Sequence, residues 1–248
     1  MSNTVVIIPT RLKAKRFPNK PLKLINQKEM ILHVYELAKN SNVGDVLVTT
    51  PDKDIANLIN KKNGKSFISQ NDHQTGTDRV YEAYEKFYSS KPEVVINLQG
   101  DMPNLKPEAI VKINNYMLKK ICDVTTLASS IKSKDEFEQQ NIVKVETKDN
   151  IEKLDFSEAI DFKRNLIKYE QKFVYHHIGV YAFTSSALKK YVNLKRSKLE
   201  VKRNLEQMRA MENNIKIHVG YTNSQPLSVD TEDDLEKIKK IMEVKWKI

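Results

Sequence analysis

Short β-branched segments alternate with amphipathic segments along the first half of the chain. Residues 4–8 (TVVII) and 93–98 (EVVINL) each predict a buried strand, because these runs favour β-structure and are too short for a helix. Between them, residues 31–38 space apolar side chains at helical intervals. Alternation of this kind predicts an α/β fold, with a mainly parallel sheet and helices on both faces.

The second half of the chain has a different pattern. Residues 123–183 contain strand-like segments separated by short polar stretches. They predict a smaller antiparallel excursion, which we place in a lobe over about residues 123–213 of one domain covering residues 1–248. Residues 215–221 (IKIHVGY) and a capped helix after Asp230 are expected to return the chain to the main sheet.

The formal net charge is +10, which is typical of proteins that bind nucleic acid or anionic lipid. Most lysines, however, are scattered among acidic residues, as expected for a solvated helical surface. One basic cluster is compact and lies between prolines, and it consists of Arg11, Lys13, Lys15, Arg16 and Lys20. This cluster predicts a local anion site.

The cysteine content and the hydropathy pattern limit the cellular compartments that the protein can occupy. The one cysteine, Cys122, excludes an internal disulfide. No apolar run approaches the roughly 18 residues that cross a bilayer, and Pro9 ends the short N-terminal apolar segment. We therefore expect a cytoplasmic protein without a signal peptide or membrane anchor.

Polar residues follow two of the predicted strands. Ligands of open α/β sheets bind beyond the carboxyl ends of strands. The basic cluster follows the first strand, and Asp101 follows residues 93–98 on a turn at Gly100. Asp101 is therefore a candidate magnesium ligand facing the cations. The sequence has no complete Walker pattern and no GxGxxG, so we expect side-chain cations to hold any phosphate.

Asp52 precedes a helical segment and is expected to cap that helix.

Six sequence blocks occur in the order found in one enzyme family, and together they span almost the whole chain. The blocks are residues 8–22 (IPTRLKAKRFPNKPL), 73–79 (HQTGTDR), 97–103 (NLQGDMP), 176–183 (HHIGVYAF), 205–209 (LEQMR) and 229–236 (VDTEDDLE). The chain therefore resembles the 3-deoxy-manno-octulosonate (Kdo) cytidylyltransferases, also called CMP-Kdo synthetases.

The resemblance implies that the sheet binds a nucleotide and that the anomeric hydroxyl of Kdo attacks the α-phosphate of CTP. The products would be CMP-Kdo, used in lipopolysaccharide biosynthesis, and pyrophosphate. The resemblance also implies Mg²⁺ as cofactor and a homodimer built through the antiparallel excursion. It implies neither a nucleic-acid partner nor a membrane partner.

The resemblance also assigns roles to residues. The catalytic residues would be Lys20, Asp101 and Asp230, and the two aspartates would also be the metal ligands. The nucleotide-binding residues would be Pro9, Arg11, Arg16, Lys20, Thr75, Gly76 and Thr77. The sugar-binding residues would be Gln99, His177, Tyr181, Glu206 and Gln207.

Several of these residues also have a purely structural explanation. Asp230 can cap the helix that follows it, unless Thr231 is the cap. Asp101 suits a tight turn, and Thr77 can cap the helix after it.

The two adjacent histidines cannot share a metal, because neighbouring strand residues point to opposite faces. His177 shares a face with Tyr181, while His176 points away. Without the resemblance, His177 would be interpreted as an ordinary, partly buried histidine.

Three positions depart from the family pattern. Met102 stands where glutamate is common, and Ala14 stands where serine is usual. Glu158 stands where the family has an arginine. If that arginine holds the Kdo carboxylate, another cation such as Lys163 or Arg164 must replace it.

These departures leave two other acceptors open, 8-amino-Kdo and a sialic-acid-like nonulosonate. Among other functional classes, the positive net charge leaves a basic nucleic-acid-binding protein as an alternative. Such a protein would show a helix-turn-helix or aromatic residues interleaved in a basic patch, and neither is visible in the sequence. A catalytically inactive nucleotide-binding module is the third alternative.

Overall fold

The computed structural model describes residues 3–13, 16–165 and 172–243. The chain divides into two compact units, the first formed by Met1–Val111 with Pro226–Ile248 and the second by Lys112–Gln225. No helix in the described ranges is long and apolar enough to cross a bilayer.

The strands in chain order are β1 (Thr4–Pro9), β2 (Leu24–Ile25), β3 (Lys28–Glu29), β4 (Asp45–Thr50), β5 (Lys65–Ile68), β6 (Val94–Leu98), β7 (Val124–Ser129), β8 (Lys144–Thr147), β9 (Phe156–Lys163), β10 (Val174–Thr184) and β11 (Ile217–Tyr221). The helices are α1 (Met30–Asn40), α2 (Lys53–Lys61), α3 (Gly76–Phe87), α4 (Pro107–Leu118), α5 (Lys134–Glu138), α6 (Ile151–Leu154), α7 (Ser185–Val192), α8 (Lys198–Arg203), α9 (Met208–Glu212) and α10 (Glu232–Glu243). A 3₁₀ turn covers Lys20–Leu22.

The first unit contains four parallel strands in the order β5-β4-β1-β6. β1 and β6 are buried along their whole length, as the continuous apolar runs predict for strands covered on both faces. Helices α1, α2 and α3 pack against these strands. Because the strands are parallel, the segments that follow β1, β4, β5 and β6 all leave the same edge of the sheet.

In the described residues of the second unit, five strands pair in a closed cycle. β10 pairs antiparallel with β7 and with β8, β8 pairs with β9, and β9 pairs with β11. β11 closes the cycle by pairing parallel with β7. The α/β class is therefore confirmed, and its strand pairing is mixed. The lobe predicted over residues 123–213 lies inside this unit, and its use in dimerisation stays a prediction.

Residues 215–221 return the chain to the sheet as expected, because they contain β11, which pairs parallel with β7 and antiparallel with β9. Gly220 makes the pairing with β9 possible. A Cβ at this position would overlap the ring of Phe156, its partner across the two strands. That ring is stacked on Tyr116 with centroids 3.7 Å apart, which limits its room to move.

We predict that Gly220→Ala lowers the free energy of unfolding by about 1–3 kcal/mol, because the new methyl group overpacks against Phe156. Urea denaturation measures the change. Gly179→Ala is the matched control, since a Cβ there meets nothing within 4 Å. Equal stability of the two variants would contradict the packing explanation.

Candidate active site

The segment after β1 that carries the basic cluster, residues 10–20, is called the basic segment. Three hydrogen bonds hold it. Thr10 N–H donates to the Thr49 carbonyl at 3.0 Å, and Asn19 N–H donates to the Leu12 carbonyl at 3.0 Å. Leu12 N–H donates to Asp52 Oδ2 at 2.7 Å. Asp52 is the N-cap residue of α2, as expected, but its side chain makes no capping hydrogen bond, because the carboxylate binds the basic segment instead.

Phe17 anchors the same segment in the core. Its side chain is buried in a cluster with Ile25, Met30, Val229, Leu235 and Ile238. Burial of one such side chain contributes about 1.5–3 kcal/mol, so the segment is held next to Val229 and α10. Ala14 and Lys15 lie outside the described residues.

Lys20 lies between two carboxylates. Its Nζ is 3.0 Å from Asp101 Oδ2 and 3.2 Å from Asp230 Oδ1. A backbone hydrogen bond of 2.9 Å from Val229 N–H to the Asp101 carbonyl brings the two acidic segments together. Arg16 adds a second cation, with Nη2 2.8 Å from Asp230 Oδ2. The structure thus assembles four residues that the sequence singled out.

These charges determine the protonation of Lys20. Burial alone would lower the pKa of Lys20, but the negative charges of Asp101 and Asp230 outweigh it, and the pKa lies above the ordinary lysine value. Lys20 is therefore an ammonium at neutral pH. Two carboxylate oxygens that converge on one ammonium also converge on a position that suits a hard divalent cation.

Thr231, not Asp230, caps α10. Thr231 Oγ1 accepts a hydrogen bond from Asp234 N–H at 3.2 Å, and Asp234 Oδ2 accepts one from Thr231 N–H at 3.1 Å. This reciprocal pair satisfies amides of the first helical turn. The Asp230 carboxylate is thus left to face Lys20 and Arg16.

A cavity of about 200 Å³ opens at the carboxyl edge of the parallel strands. Residues that follow β1, β5 and β6 line it, together with the first turn of α3, as expected for an open α/β sheet. Of the residues predicted from the sequence, those that line it are Pro9, Arg11, Lys20, Thr75, Gly76, Gln99 and Asp101.

The two threonines at the start of α3 have different surroundings. Thr75 is the N-cap: its Oγ1 accepts from Asp78 N–H at 3.2 Å and donates to Asp78 Oδ2 at 2.8 Å. Thr77 is buried, and its Oγ1 accepts from Asn97 Nδ2 at 3.0 Å. The alternative of a Thr77 cap is therefore wrong, and Thr77 does not line the cavity.

Gly76 allows α3 to begin close against the strand ends. A Cβ at this position would lie 3.3 Å from Gln99 Nε2 and 3.6 Å from Pro9 Cγ. Gln99 is itself fixed, because its Nε2 donates to Asn97 Oδ1 at 2.8 Å. The cavity wall is therefore rigid at this point.

Arg79 lines the cavity although the sequence patterns gave it no role. Its side chain is almost fully buried, and Nε donates to Ser69 Oγ at 3.3 Å. Within the described ranges its guanidinium makes no ion pair. Burial, followed by the positive charge of Arg11, lowers the pKa of Arg79. The sequence signal that could have identified Arg79 is its spacing, because it follows Gly76 by three residues and shares its helix face.

His177 and Tyr181 meet on β10 in the second unit. Tyr181 Oη and Thr126 Oγ1 each lie 3.0 Å from His177 Nε2. Burial, with a contribution from His176, lowers the pKa of His177 to about 3, so its ring is neutral at physiological pH. Burial also raises the pKa of Tyr181, which keeps its proton. His176 instead lies 2.5 Å from Glu136 Oε1, as expected for the opposite face.

Glu206 and Gln207 lie between α8 and α9, beside a buried ion pair. Arg209 Nη2 and Nε bind the two carboxylate oxygens of Glu200 at 2.8 and 2.9 Å. A two-point pair of this kind fixes the geometry of both partners, and it joins α8 to α9. Burial, followed by the charge of Glu206, raises the pKa of Tyr181.

Glu158, which stands in place of the family arginine, and the two cations considered from the sequence all contact other protein groups. Glu158 Oε2 lies 3.2 Å from Lys216 Nζ. Lys163 Nζ is 2.8 Å from Asp161 Oδ2, and Arg164 donates to main-chain carbonyls. Both cations therefore already have protein partners.

Met102 is buried, with 4% of its surface exposed. Its carbonyl accepts a hydrogen bond from Leu105 N–H at 3.2 Å. The position of the family glutamate is thus occupied by an apolar side chain that packs inside the protein.

Comparison with known proteins identifies the family of this chain. A family model described as cytidylyltransferase matches residues 5–217. The 3-deoxy-manno-octulosonate cytidylyltransferase of Thermodesulfovibrio yellowstonii is 40% identical, over 96% of this chain and 98% of that protein. The chain belongs to the 3-deoxy-manno-octulosonate cytidylyltransferase family. The Bartonella tribocorum member is 36% identical, again over 96% of this chain and 98% of that protein.

Solved structures show the same relationship. A CMP:2-keto-3-deoxy-manno-octonic acid synthetase complexed with CTP matches with a TM-score of 0.88 and 33% identity, over 98% of this chain and 100% of that one. A 4-diphosphocytidyl-2C-methyl-D-erythritol synthase from Anaerococcus prevotii matches with a TM-score of 0.65 and 12% identity, over 98% of this chain and 99% of that one. The second likeness shows the fold alone.

We predict that Asp52→Ala loosens the basic segment, because Leu12 N–H loses its charged acceptor. Hydrogen–deuterium exchange of a peptide containing Leu12 should become faster by about tenfold, the size expected for one such hydrogen bond. Asp54→Ala, an exposed change in the first turn of α2, is the control. Unchanged exchange in Asp52→Ala would contradict the anchoring role.

Proposed function

We propose that this family member transfers CMP from CTP to the anomeric hydroxyl of Kdo and releases pyrophosphate, supplying CMP-Kdo for lipopolysaccharide biosynthesis. The observation that carries the proposal is the convergence of Asp101 and Asp230 on Lys20 beside the strand-end cavity. The names of the relatives and of the CTP-bound neighbour support it.

The basic segment supplies charge for the triphosphate. Nucleotidyl transfer depends on neutralising charge and on in-line placement more than on covalent help from the protein. Arg11 and Lys20 line the cavity, and Arg16 is held nearby by Asp230. We assign Lys20 to the charge that develops at the α-phosphate, because it is the cation of the three that is mostly buried and fixed between two acids.

Asp101 and Asp230 fit a magnesium ion. In the described ranges no group of three or more His, Cys, Asp or Glu side chains could hold a metal. Mg²⁺ is commonly held by one or two carboxylates together with substrate phosphates and water, and this pair matches that requirement. A bound Mg²⁺ ion would neutralise phosphate oxygens and help to orient the triphosphate.

The cavity wall suits the nucleoside half of CTP. Pro9, Thr75 and Gly76 provide a close-packed wall, and Gly76 has no side chain to exclude a ring. The guanidinium of Arg79 makes no ion pair with the part of the chain that the structure describes, and its donors can bind a carbonyl or phosphate oxygen. Thr77 supports this wall through Asn97.

The predicted sugar-binding residues offer mostly neutral hydrogen-bonding groups. His177 is neutral and Tyr181 is protonated, so this pair can bind hydroxyl groups but cannot neutralise a carboxylate. Gln99 and Gln207 have amide groups of the same kind, and Glu206 can accept from hydroxyls. We propose that these five residues bind the acidic sugar.

We further propose a homodimer formed through residues 123–213 and a cytoplasmic location, where CTP is present. Light scattering coupled to size-exclusion chromatography tests the dimer. A monomer at micromolar concentration would contradict it.

Pyrophosphate release from CTP and Mg²⁺ tests the reaction, with Kdo, 8-amino-Kdo and a sialic acid as parallel acceptors. We expect the highest kcat/KM with Kdo. A preference for 8-amino-Kdo would indicate that Glu158, in place of the family arginine, adapts the site to that acceptor. Silence with every acceptor would remove the enzymatic proposal.

We predict that Asp101→Asn and Asp230→Asn each lower kcat by at least ~10², the scale of losing one electrostatic stabiliser. Asp233→Asn is the matched control, because this acid lies exposed in the first turn of α10. Steady-state pyrophosphate release measures all three variants. Near-normal turnover of either of the first two would exclude that residue from the metal site.

A further inference from the structure

A buried ion pair joins α8 to α9 in the second unit. Glu200 and Arg209 have 0% and 2% of their surface exposed. Burial would raise the pKa of Glu200, but hydrogen bonds from Arg209 and Arg196 outweigh it, and the pKa lies below the ordinary glutamate value. Both partners are therefore charged at neutral pH. A buried ion pair adds little stability over well-packed apolar side chains, so the geometry that it fixes is its more informative property.

The Glu200 carboxylate is held on α8 by contacts of its own. Arg196 Nε lies 3.0 Å from Oε1, and Ser197 N–H donates to Oε2 at 3.1 Å. Ser197 Oγ accepts from Glu200 N–H at 3.3 Å, which completes a capping box. Arg209 then binds both carboxylate oxygens, at 2.8 and 2.9 Å. This two-point contact fixes the first turn of α9 against α8.

Two donors hold the carbonyl of Glu206, in the turn between these helices. Tyr191 Oη, from α7, donates to it at 2.7 Å, and Arg209 N–H donates to it at 3.1 Å. Burial raises the pKa of Tyr191, so its hydroxyl keeps the proton that it donates. The guanidinium carbon of Arg209 lies 4.8 Å from the centroid of the Tyr191 ring, within the range of a cation–π contact. Arg209 thus supplies one donor and packs against the other.

The turn is also held on either side of Glu206. Leu205 N–H donates to the Glu200 carbonyl at 3.2 Å, and the side chains of Leu205 and Met208 are buried. Glu206 and Gln207, which are proposed to bind the acidic sugar, lie between these two anchors. A displacement of about 1 Å can be costly for groups that bind a substrate. The main chain of this turn therefore has to be placed accurately.

We propose that Arg209 and Glu200 are positioning residues for the acidic sugar, which act by fixing the main chain of Glu206 and Gln207. This inference rests on the proposed function, because that function supplies the sugar. Burial keeps the ion pair itself out of contact with the substrate. No covalent step is involved.

The test replaces Arg209 by lysine and measures pyrophosphate release with Kdo and CTP. Arg209→Lys keeps the positive charge but loses the two-point contact with Glu200. We expect KM for Kdo to rise about tenfold, the effect of one lost hydrogen bond to a charged group. KM for CTP and kcat should change by less than about twofold, because the binding of the sugar alone is weakened.

Arg196→Lys is the matched control. It removes a guanidinium from the same Glu200 carboxylate, but Arg196 precedes α8 and 42% of its side chain is exposed. KM for Kdo should stay within about twofold of the wild-type value, as expected for an exposed ion pair. A rise equal to that of Arg209→Lys would indicate a general loosening around the carboxylate, and it would overturn the proposal.

A second variant reaches the same carbonyl from α7. Tyr191→Phe removes one donor to the Glu206 carbonyl and leaves Arg209 N–H, so the carbonyl keeps a partner. KM for Kdo should rise about fivefold, the effect of one neutral hydrogen bond, while KM for CTP stays the same. An unchanged KM for Kdo in either Tyr191→Phe or Arg209→Lys, or an equal rise for Kdo and CTP, would overturn the proposal. If Arg209→Lys fails to fold, Tyr191→Phe decides alone.

Failure of the proposed function gives a different result. If wild-type protein releases no pyrophosphate with Kdo, 8-amino-Kdo or a sialic acid, the proposed function fails, whatever the variants do. If wild-type protein is active and the variants keep its KM for Kdo, the positioning role alone fails. If wild-type protein prefers 8-amino-Kdo, the same comparison is made with that sugar.

Discussion

The site depends on the contact of the Lys20 ammonium with the carboxylates of Asp101 and Asp230. These residues come from three distant parts of the sequence: the segment after β1, the turn after β6 and the residues before α10. Two like charges so close together repel, and the cations of Lys20 and Arg16 offset that repulsion. A bound metal and triphosphate can do the same. The arrangement is therefore stable before substrate arrives and already has its carboxylates in place.

Much of this arrangement could be predicted from the sequence. β1 and β6 are recognisable as buried apolar runs, and parallel strands deliver the residues after them to one edge. The basic segment and Asp101 follow directly from that rule. Contacts of long sequence separation could not be predicted. Asp52 has a good capping pattern, yet it binds Leu12, forty residues away. The local capping preference is overridden here, because the Asp52 carboxylate accepts a more stabilising hydrogen bond from a backbone amide of the basic segment.

Other differences have the same cause. Thr75 and Thr77 are both reasonable caps, and only packing decides that Thr75 caps α3 while Thr77 bonds to Asn97. β11 reads as an ordinary apolar strand, and the missing side chain of Gly220 allows its pairing next to Phe156. In the second unit, the neutral state of His177 depends on the burial of its ring, which no spacing rule reveals. Sequence patterns thus identified candidate residues, whereas tertiary packing determined the protonation and orientation of their side chains.

We propose that Asp101 and Asp230 exchange the Lys20 ammonium for a metal ion when the nucleotide binds. Crystals grown with CTP and Mn²⁺ test it most directly, because manganese has an anomalous signal and accepts the oxygen ligands that magnesium uses. We expect anomalous density coordinated by both carboxylates, with Lys20 Nζ on a phosphate oxygen. Metal bound elsewhere, with Lys20 still bridging Asp101 and Asp230, would contradict it.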